Sequence, residues 1–311
     1  MSRPKRLTGT INHTILYGVI IVKKRHVQIL LPLFSIFLLS TFLWPTVEYA
    51  KEAPPTDSTG HAPAVLTYHH IDEKLDSSAT ITSELFRSHL KMLKENGYNV
   101  IGMEQLLEAH KQNKALPAKS VVLTFDDGYE SFYTKAAPLL KEFGMTATNF
   151  VVVKSTDQKN PKEIPHLSWD QMRELEQQGL TFYSHTYNSH QKVPTDKNNS
   201  RGHALTSRKY LEKEGRTETH EEYHQRVKAD LALANQRLVE ELGKQPALLA
   251  FPHGAYDQTV LDMCKSLNIE LMFAAKEGEH FPGSKLLYRI NAGAPSMSDE
   301  DLAKKLEKHF R

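Results

Sequence analysis

Apolar runs alternate with longer amphipathic stretches along most of the chain after residue 63. Seven short apolar runs predict strands, at 64–68, 98–101, 120–125, 146–153, 180–184, 247–251 and 269–273. Six longer stretches with apolar residues at helical spacing predict helices, at 83–96, 103–112, 129–143, 168–178, 220–242 and 256–267. Strands that alternate with helices are typical of a parallel sheet covered by helices. The pattern therefore predicts an α/β fold, a distorted (β/α) barrel of about seven parallel strands with outer helices.

The residues before this alternation predict export from the cytoplasm. Residues 27–44 form a nearly unbroken apolar run, and a Lys-Lys-Arg cluster in a basic arm at 1–26 precedes it. The run is shorter than the roughly 20 residues of a spanning helix and longer than the roughly 7–15 of a signal-peptide core, so a signal peptide and a membrane anchor both remain open. A basic flank stays on the cytoplasmic side. We therefore expect a flexible linker at 45–63 and a catalytic domain at 64–311, at the extracellular face, membrane-anchored or secreted.

A polar segment at 191–219 interrupts the alternation. It is charged and contains few apolar residues. Long loops inside compact domains are often active-site lids or binding loops. A lid or substrate-facing loop and a solvated insertion without a role are both consistent with this composition.

Charge and cysteine content narrow the class of protein. The 39 basic and 37 acidic side chains give a formal net charge of +2, and part of the basic excess lies in the N-terminal arm. A near-neutral domain argues against nucleic acid as a partner, because phosphate binding needs a clustered basic surface. Cys264 is the only cysteine, which excludes an intrachain disulfide and a thiolate metal cage. We expect a monomer that meets the membrane through its N-terminal segment.

Polar side chains follow four of the predicted strands, at the point where each strand ends. The clusters are Tyr68-His69-His70, Asp126-Asp127-Gly128, Ser184-His185-Thr186 and Pro252-His253-Gly254. The carboxyl ends of the strands in a barrel face the same mouth, where enzymes of this class place their chemistry. The sequence therefore predicts one site built from these four clusters.

Adjacent carboxylates and a pair of histidines in this set predict a site for one divalent metal. Asp126 and Asp127 follow an apolar strand, and buried carboxylates need a cationic partner. His185 and His190 are five residues apart, so they cannot share a helical face and must be brought together by a loop. One carboxylate and two imidazoles leave open positions, as in catalytic sites. These ligands suit zinc, cobalt, nickel or iron, and we expect zinc.

The motifs together resemble those of the polysaccharide deacetylases, carbohydrate esterase family four. The matching segments are Thr124-Phe125-Asp126-Asp127-Gly128, His185-Thr186-Tyr187-Asn188-Ser189-His190 and Phe251-Pro252-His253-Gly254. The opening Leu66-Thr67-Tyr68-His69-His70, the five-residue histidine spacing and the preceding Leu167-Ser168-Trp169-Asp170 are similar to the branch that deacetylates poly-β-1,6-N-acetylglucosamine in biofilm matrix. The resemblance spans residues 64–295.

The resemblance implies a role for each residue of the motifs. The first aspartate, Asp126, is expected to act as the general base toward water. The second, Asp127, is expected to bind the metal with His185 and His190. The metal and the backbone N–H of His253 are expected to stabilise the oxyanion. An alternative role for Asp127 is that of a cap at the start of the helix predicted near residue 129.

Two parts of the family pattern are missing. Many relatives carry an Arg-x-Pro-Tyr segment whose arginine orients the base, but this chain has Ala250-Phe251-Pro252-His253 there. The segment 286–291 has no Leu-x-His motif to supply the general acid. His69, His70, His253 and the protonated Asp126 remain as candidates for the acid. For sugar contacts we predict Trp169, Tyr187 and Tyr68, with Tyr256 as a further aromatic, although core packing explains each one equally well.

These observations predict a polysaccharide N-deacetylase, a hydrolase that removes acetyl groups from N-acetylglucosamine units of an extracellular polymer. Poly-β-1,6-N-acetylglucosamine is the expected substrate and acetate the released product. Peptidoglycan or chitin-type β-1,4 glycan, an O-acetyl ester, and a non-catalytic glycan-binding role are the alternatives. The product would carry free amines and bind anionic surfaces of the cell wall or biofilm.

Overall fold

A computed structural model of the chain describes residues 62–278 and 283–311. The strands are β1 (Ala64–Tyr68), β2 (His70–Ile71), β3 (Thr80–Ile81), β4 (Asn99–Val100), β5 (Ser120–Asp127), β6 (Thr148–Val151), β7 (Thr181–Ser184), β8 (Lys192–Pro194), β9 (Arg201–His203), β10 (Tyr210–Leu211), β11 (Arg216–Thr217), β12 (Leu248–Ala250), β13 (Leu271–Phe273), β14 (Leu286–Leu287) and β15 (Ile290–Asn291). The α-helices are α1 (Ser83–Glu95), α2 (Met103–Gln112), α3 (Ala137–Phe143), α4 (Val153–Asp157), α5 (Trp169–Glu176), α6 (His220–Leu242), α7 (Gln258–Ser266) and α8 (Asp299–His309). A π-helical turn, Phe132–Ala136, leads into α3, and a 3₁₀ turn, Pro252–Gly254, follows β12.

The main sheet is parallel throughout the described residues. Its strands lie in the order β14, β13, β12, β7, β6, β5, β1, β15, and β4 pairs with the beginning of β5. The segment 286–291 contributes to both ends of this order, because β14 pairs with β13 and β15 pairs with β1. One short stretch of chain therefore brings the two edges of the sheet together, and the predicted (β/α) barrel is confirmed.

All seven predicted strands are present, and every predicted helix has a counterpart. The polar tip of β5 belongs to the strand itself, since Asp126 and Asp127 pair with Phe150 and Val151 of β6. Two helices were not predicted, the short α4 and the terminal α8. The closing strands β14 and β15 were not predicted either, because each is only two residues long.

Successive side chains of each strand point to opposite faces of the sheet, and this alternation separates an inner core from an outer core. Val65, Val122 and Phe150 pack in the inner cluster with residues of β12 and β13. Leu66 and Phe125 pack in the outer cluster against α1, α3 and α8. Residues with the inward parity at the ends of these strands therefore point into the barrel mouth, and those with the outward parity pack under the helices.

This parity corrects the predicted role of Tyr68. Tyr68 has the outward parity of β1, is 0% exposed and donates its hydroxyl hydrogen bond to Nδ1 of His89 at 3.2 Å. Its ring packs against Phe86 and Phe125 in the outer core. A sugar contact by Tyr68 is therefore wrong, because the side chain lies under α1 and its neighbour His69 has the inward parity.

Local sequence explains where two of the helices near the site begin. Ser168 and Gln171 form a capping box at the start of α5, and Thr219 and Glu222 form another at the start of α6. In each box the two side chains satisfy backbone N–H groups that the first helical turn leaves without partners. Both helices therefore have fixed starting points next to the loops that they follow.

The segment 191–219 contains two antiparallel hairpins, β8 with β9 and β10 with β11. We call this segment the hairpin module. The predicted basic arm (1–26), the apolar run (27–44) and all but the last two residues of the linker lie outside the described residues. Within the part that is described, none of the helices combines the length and apolar character that a membrane crossing requires.

Candidate metal centre

Two adjacent aspartates end β5 and point in different directions. Asp126 has the inward parity of Val122 and Thr124 and is 2% exposed. Asp127 has a φ of 75°, a left-handed conformation that turns its side chain out of the strand pattern. Gly128 follows with a φ of 78°, and a Cβ there would lie 3.0 Å from a methyl group of Val151. The chain at this turn therefore needs glycine after Asp127.

Asp127 is not a helix cap, which excludes the alternative role that its position in the sequence left open. The π-helical turn begins at Phe132, and its cap position is Ser131. Asp127 itself pairs within the sheet as the last residue of β5. Its side chain is therefore available for binding at the barrel mouth.

Asp127, His185 and His190 come together although they are distant in the sequence. Oδ1 of Asp127 lies 3.1 Å from Nε2 of His190 and 3.5 Å from Nε2 of His185. The ligand atoms of the three residues all lie within 4.8 Å of one another. The loop after β7 thus curls back, as joint ligation by two histidines five residues apart requires.

The protonation states of His185 and Asp127 are those that ligands of a metal cation need. Nδ1 of His185 donates a hydrogen bond to the carbonyl of Ala250 at 2.9 Å, so its Nε2 presents a lone pair to the aspartate. Burial lowers the pKa of His185 to about 4, which leaves the ring neutral. Oδ1 of Asp127 is buried and has no hydrogen-bond partner among the described residues. A buried carboxylate oxygen that lies between the lone pair of His185 and the ring of His190 is costly unless a positive charge lies between them. The three residues therefore fit a divalent metal.

The loop 185–190 is held in its curled form by groups on α6 and α4. Asp230 of α6 accepts the backbone N–H of Asn188 at 2.7 Å and also bonds Ser189 and the backbone of Tyr187. At the start of α4, Val153 and Lys154 donate their backbone N–H groups to the carbonyls of residues 186 and 187. Sequence reasoning missed Asp230, because an acidic residue inside a long polar helix gives no local sign of a partner.

Asp126 pairs with a buried arginine from the closing strand segment. Nη1 and Nη2 of Arg289 donate to Oδ1 and Oδ2 of Asp126 at 2.8 and 2.7 Å, and Nε donates to the carbonyl of Ala274 at 2.9 Å. Burial acts to raise the pKa of Asp126, but the charge and the hydrogen bonds of Arg289, together with the neighbouring histidines, outweigh burial and hold the pKa below its usual range. Asp126 is therefore ionised and fixed in orientation. Arg289 is the orienting group that the sequence alone did not identify.

The two histidines after β1 have different surroundings. His70 shares a hydrogen bond of 2.8 Å with Oγ of Ser131, and its ring packs on Tyr129. Nδ1 of His69 is buried and has no hydrogen-bond partner among the described residues. Burial acts to raise the pKa of Asp126 and of Asp127, but both pKa values lie below the usual range, and His69 is among the neighbours that lower them. His69 is therefore the histidine of this pair that faces the carboxylates.

His253 lies at the rim, beside the metal cluster. It has a φ of 56° within the 3₁₀ turn after β12. Its Nε2 donates to the carbonyl of His190 at 3.1 Å, and the two rings are 4.4 Å apart. The side chain of His253 thus supports the loop that carries a predicted ligand, and the ring itself is exposed.

Trp169 and Tyr187 are joined through one carboxylate. Nε1 of Trp169 donates to Asp157 at 2.9 Å, and the guanidinium of Arg237 lies 5.7 Å from the centre of its ring. The hydroxyl of Tyr187 also hydrogen-bonds Asp157. Both aromatic side chains are half-buried against the outer core. These contacts give both residues a structural role, and their predicted sugar contacts stay predictions.

Tyr129 and His166 were not predicted as site residues. Tyr129 hydrogen-bonds the carboxylate of Asp127, and burial together with that carboxylate raises its pKa. The ring of His166 packs on Tyr129 at 5.1 Å. Tyr129 directly follows the Asp126-Asp127-Gly128 motif, and this closeness in sequence was the one signal available for it. Together the two rings form a wall beside Asp127.

The fold and this cluster define a class of protein, the parallel α/β barrels with an open metal centre at the carboxyl ends of their strands. The comparison with known families is more specific. The family model for polysaccharide deacetylase matches residues 113–272, about half of the chain. The chain belongs to the polysaccharide deacetylase family, and the predicted resemblance is confirmed.

Individual relatives agree with this assignment. A poly-β-1,6-N-acetyl-D-glucosamine N-deacetylase of Escherichia coli (strain K12) is 30% identical over 226 residues, which cover 68% of this chain. The match spans only 34% of that protein, about a third of its length. The structure of a de-N-acetylase from Aggregatibacter actinomycetemcomitans superposes with a TM-score of 0.70 at 28% identity, over 78% of this chain and 98% of that chain. The deacetylase domain of BpsB from Bordetella bronchiseptica gives a TM-score of 0.65 at 27% identity, over 76% and 97% of the two chains.

Proposed function

We propose that this protein is a metal-dependent N-deacetylase that releases acetate from N-acetylglucosamine units of an extracellular polysaccharide, the β-1,6-linked polymer. The observation that carries the proposal is that two adjacent carboxylates have different partners, imidazoles for one and a guanidinium for the other. Asp127 faces the imidazoles of His185 and His190, and Asp126 is held by Arg289. One carboxylate is arranged to bind a cation and the other to accept a proton.

When bound, a divalent metal supplies Lewis-acid activation of water and of an acyl oxygen. Asp127, His185 and His190 would hold it, and zinc suits their ligand types. Asp126 accepts the proton of the attacking water. Its ionised state and its fixed direction, both set by Arg289, support this role because a general base must be unprotonated and correctly placed.

The departing amine needs a proton, and the proposal assigns its delivery to His69. His69 has the inward parity of β1, and its buried Nδ1 has no partner among the described residues. His70 is occupied by Ser131, and the side chain of His253 is occupied by the carbonyl of His190. The main-chain N–H of His253 is retained as the donor to the developing oxyanion, because the residue sits at the rim beside the metal ligands.

The substrate and location rest on the relatives and on the N-terminal sequence. The E. coli relative is named as acting on poly-β-1,6-N-acetyl-D-glucosamine. The basic arm and apolar run support a protein anchored in, or exported across, a membrane. A β-1,4 polymer and an O-acetyl ester are alternative substrates with the same chemistry. The missing arginine of the Arg-x-Pro-Tyr segment was one argument for a non-catalytic binding role. That argument no longer holds, because Arg289 supplies the guanidinium.

The test compares acetate release by the wild type and by Asp126→Asn. We expect the wild type to release acetate from N-acetylglucosamine oligomers. Asp126→Asn should retain one metal per chain and lose about 10²- to 10⁴-fold in rate, because only the base is removed. Asp262→Asn, an exposed aspartate on α7, is the matched control and should leave the rate unchanged. Full activity in Asp126→Asn would remove Asp126 as the base.

The same assay decides the substrate. Oligomers with β-1,6 and β-1,4 linkages are compared at equal concentration, and an O-acetylated glycan is included. Faster release from the β-1,6 series is the expected result. Release from the β-1,4 series or from the ester alone would assign the alternative substrate, and release from none of them would favour the binding role.

A further inference from the structure

The hairpin module (191–219) is a fixed part of the domain. Leu205 is buried in the core cluster that includes Tyr223 and Val227 of α6, and the hydroxyl of Tyr223 donates to the carbonyl of Leu205 at 2.6 Å. A Cβ at Gly202 would lie 2.1 Å from Oγ of Ser207, so the backbone of β9 packs directly on the following turn. A segment anchored in this way does not behave as a free lid.

A partly buried ion pair ties the middle and the end of the module to α6. Arg226 donates Nε and Nη2 to the carboxylate of Glu218 at 2.8 and 3.0 Å. The same guanidinium donates to the carbonyls of Ala204 and Ser207 at 2.8 and 2.9 Å. Glu218 is 4% exposed. Arg226 and Tyr223, both on α6, therefore hold the stretch that follows β9 against the barrel.

This fixed position places His203, the last residue of β9, beside His253 at the rim of the metal centre. Its ring lies 5.0 Å from that of His253, which lies 4.4 Å from that of His190. The ring of His190 in turn lies 5.1 Å from that of His185. The four imidazoles form a row that begins at the metal cluster and runs outward to the module. Nδ1 of His203 is buried and has no hydrogen-bond partner among the described residues.

We propose that His203, whose ring lies beside that of His253, binds the sugar unit next to the one whose acetamide lies at the metal, so that His203 selects polymer over single sugars. The row leads away from the metal cluster toward the hairpin module, and we place the neighbouring unit of a bound chain along it. Imidazole nitrogens can donate to and accept from sugar hydroxyl and acetamide groups. His203 is only half-buried, and a turn of its ring toward a bound sugar would give the unpartnered nitrogen a hydrogen bond. This subsite rests on the proposed function.

The experiment measures binding and turnover of N-acetylglucosamine monomers and of oligomers of at least four units. We expect His203→Ala to weaken oligomer binding to the Asp126→Asn protein by about threefold to tenfold, the size of one lost hydrogen bond. In the otherwise wild-type protein the loss should appear in KM for the oligomer, with kcat, metal content and monomer turnover unchanged. His203→Gln, which keeps a hydrogen-bonding side chain, should recover part of the affinity. His220→Ala, at the exposed first residue of α6, is the matched control.

The outcomes separate the subsite from the proposed function. Unchanged oligomer binding in His203→Ala, or equal losses for monomer and oligomer, would overturn the subsite while acetate release by the wild type still upheld the deacetylase. Oligomer binding that depends on His203, without acetate release by the wild type, would uphold the subsite and overturn the deacetylase.

Discussion

At the scale of single residues, the site depends on two neighbouring aspartates with different environments. Asp126 keeps the inward parity of β5 and meets a guanidinium, while the φ of 75° at Asp127 turns that side chain to the histidines. The chemical difference between the two carboxylates therefore arises from one backbone conformation. The two residues are identical and adjacent, so their type and position in the sequence do not show which one has which role.

Arg289→Met should destabilise the fold strongly. The substitution leaves the carboxylate of Asp126 buried without its partner, and breaking a buried ion pair in this way costs about 3–5 kcal/mol of folding free energy. The double variant Asp126→Asn/Arg289→Met should recover part of that loss, because no buried charge then remains. Unfolding in urea measures both effects. Equal stability of Arg289→Met and the wild type would show that the pair is not buried as described.

The ligand set was predictable from sequence, whereas the partner of Asp126 was not. Carboxylates and histidines at strand ends are recognisable because their types and positions are local. Arg289 lies in a segment that pairs only through two-residue strands, and its partner is 163 positions away. Tyr68 was assigned wrongly for a related reason, since a motif does not tell which of Tyr68 and His69 faces inward until the register of β1 is known.

At the scale of elements, the loop 185–190 and the hairpin module are positioned by α6. The start of this helix was predictable from the Thr219 and Glu222 capping box. The contacts of this helix were not predictable from sequence. Asp230 binds a loop that is distant in the sequence, and Arg226 binds a segment that has no hydrophobic periodicity. The terminal helix α8 could have been predicted, since Ser298 caps it and acidic residues fill its first turn.

Asp230→Ala should weaken metal binding without removing a ligand. Asp230 holds the backbone of the loop that carries His190, and loss of such outer partners typically lowers metal affinity by about 10- to 100-fold. Competition with a chelator of known affinity measures the effect in the purified domain. Asp262→Ala on α7 is the matched control and should bind metal as the wild type does. An unchanged affinity in Asp230→Ala would mean that the loop keeps its curl without α6.

Glu218→Gln should lower the local stability of the hairpin module more than Glu222→Gln, which weakens an exposed ion pair. The change weakens the pair with Arg226, in which the Glu218 carboxylate is buried. Glu222→Gln instead weakens a bidentate pair with Arg216, in which both side chains are about 40% exposed. An exposed pair of this kind contributes less than about 1 kcal/mol to stability. Hydrogen exchange of the backbone amides at 201–218 measures the local stability. Faster exchange in Glu222→Gln than in Glu218→Gln would contradict the role of Arg226 as the anchor of the module.

At the scale of the whole molecule, the barrel explains why four separate sequence clusters form one site. Parallel strands β1, β5, β7 and β12 end at the same mouth, so residues from distant parts of the sequence become neighbours. The fold class followed from the alternation of strands and helices. The closure of the barrel by 286–291 did not, because that segment is too short to show a period of its own.

The position of the metal tests the central claim most directly. Anomalous diffraction from crystals grown with zinc should locate one ion about 2.0–2.2 Å from a carboxylate oxygen of Asp127 and from Nε2 of His185 and His190. Asp126 should remain on Arg289, outside the ligand set. His190→Ala should bind the ion far more weakly. An ion bound elsewhere, or a cluster that stays empty at saturating zinc, would contradict the account.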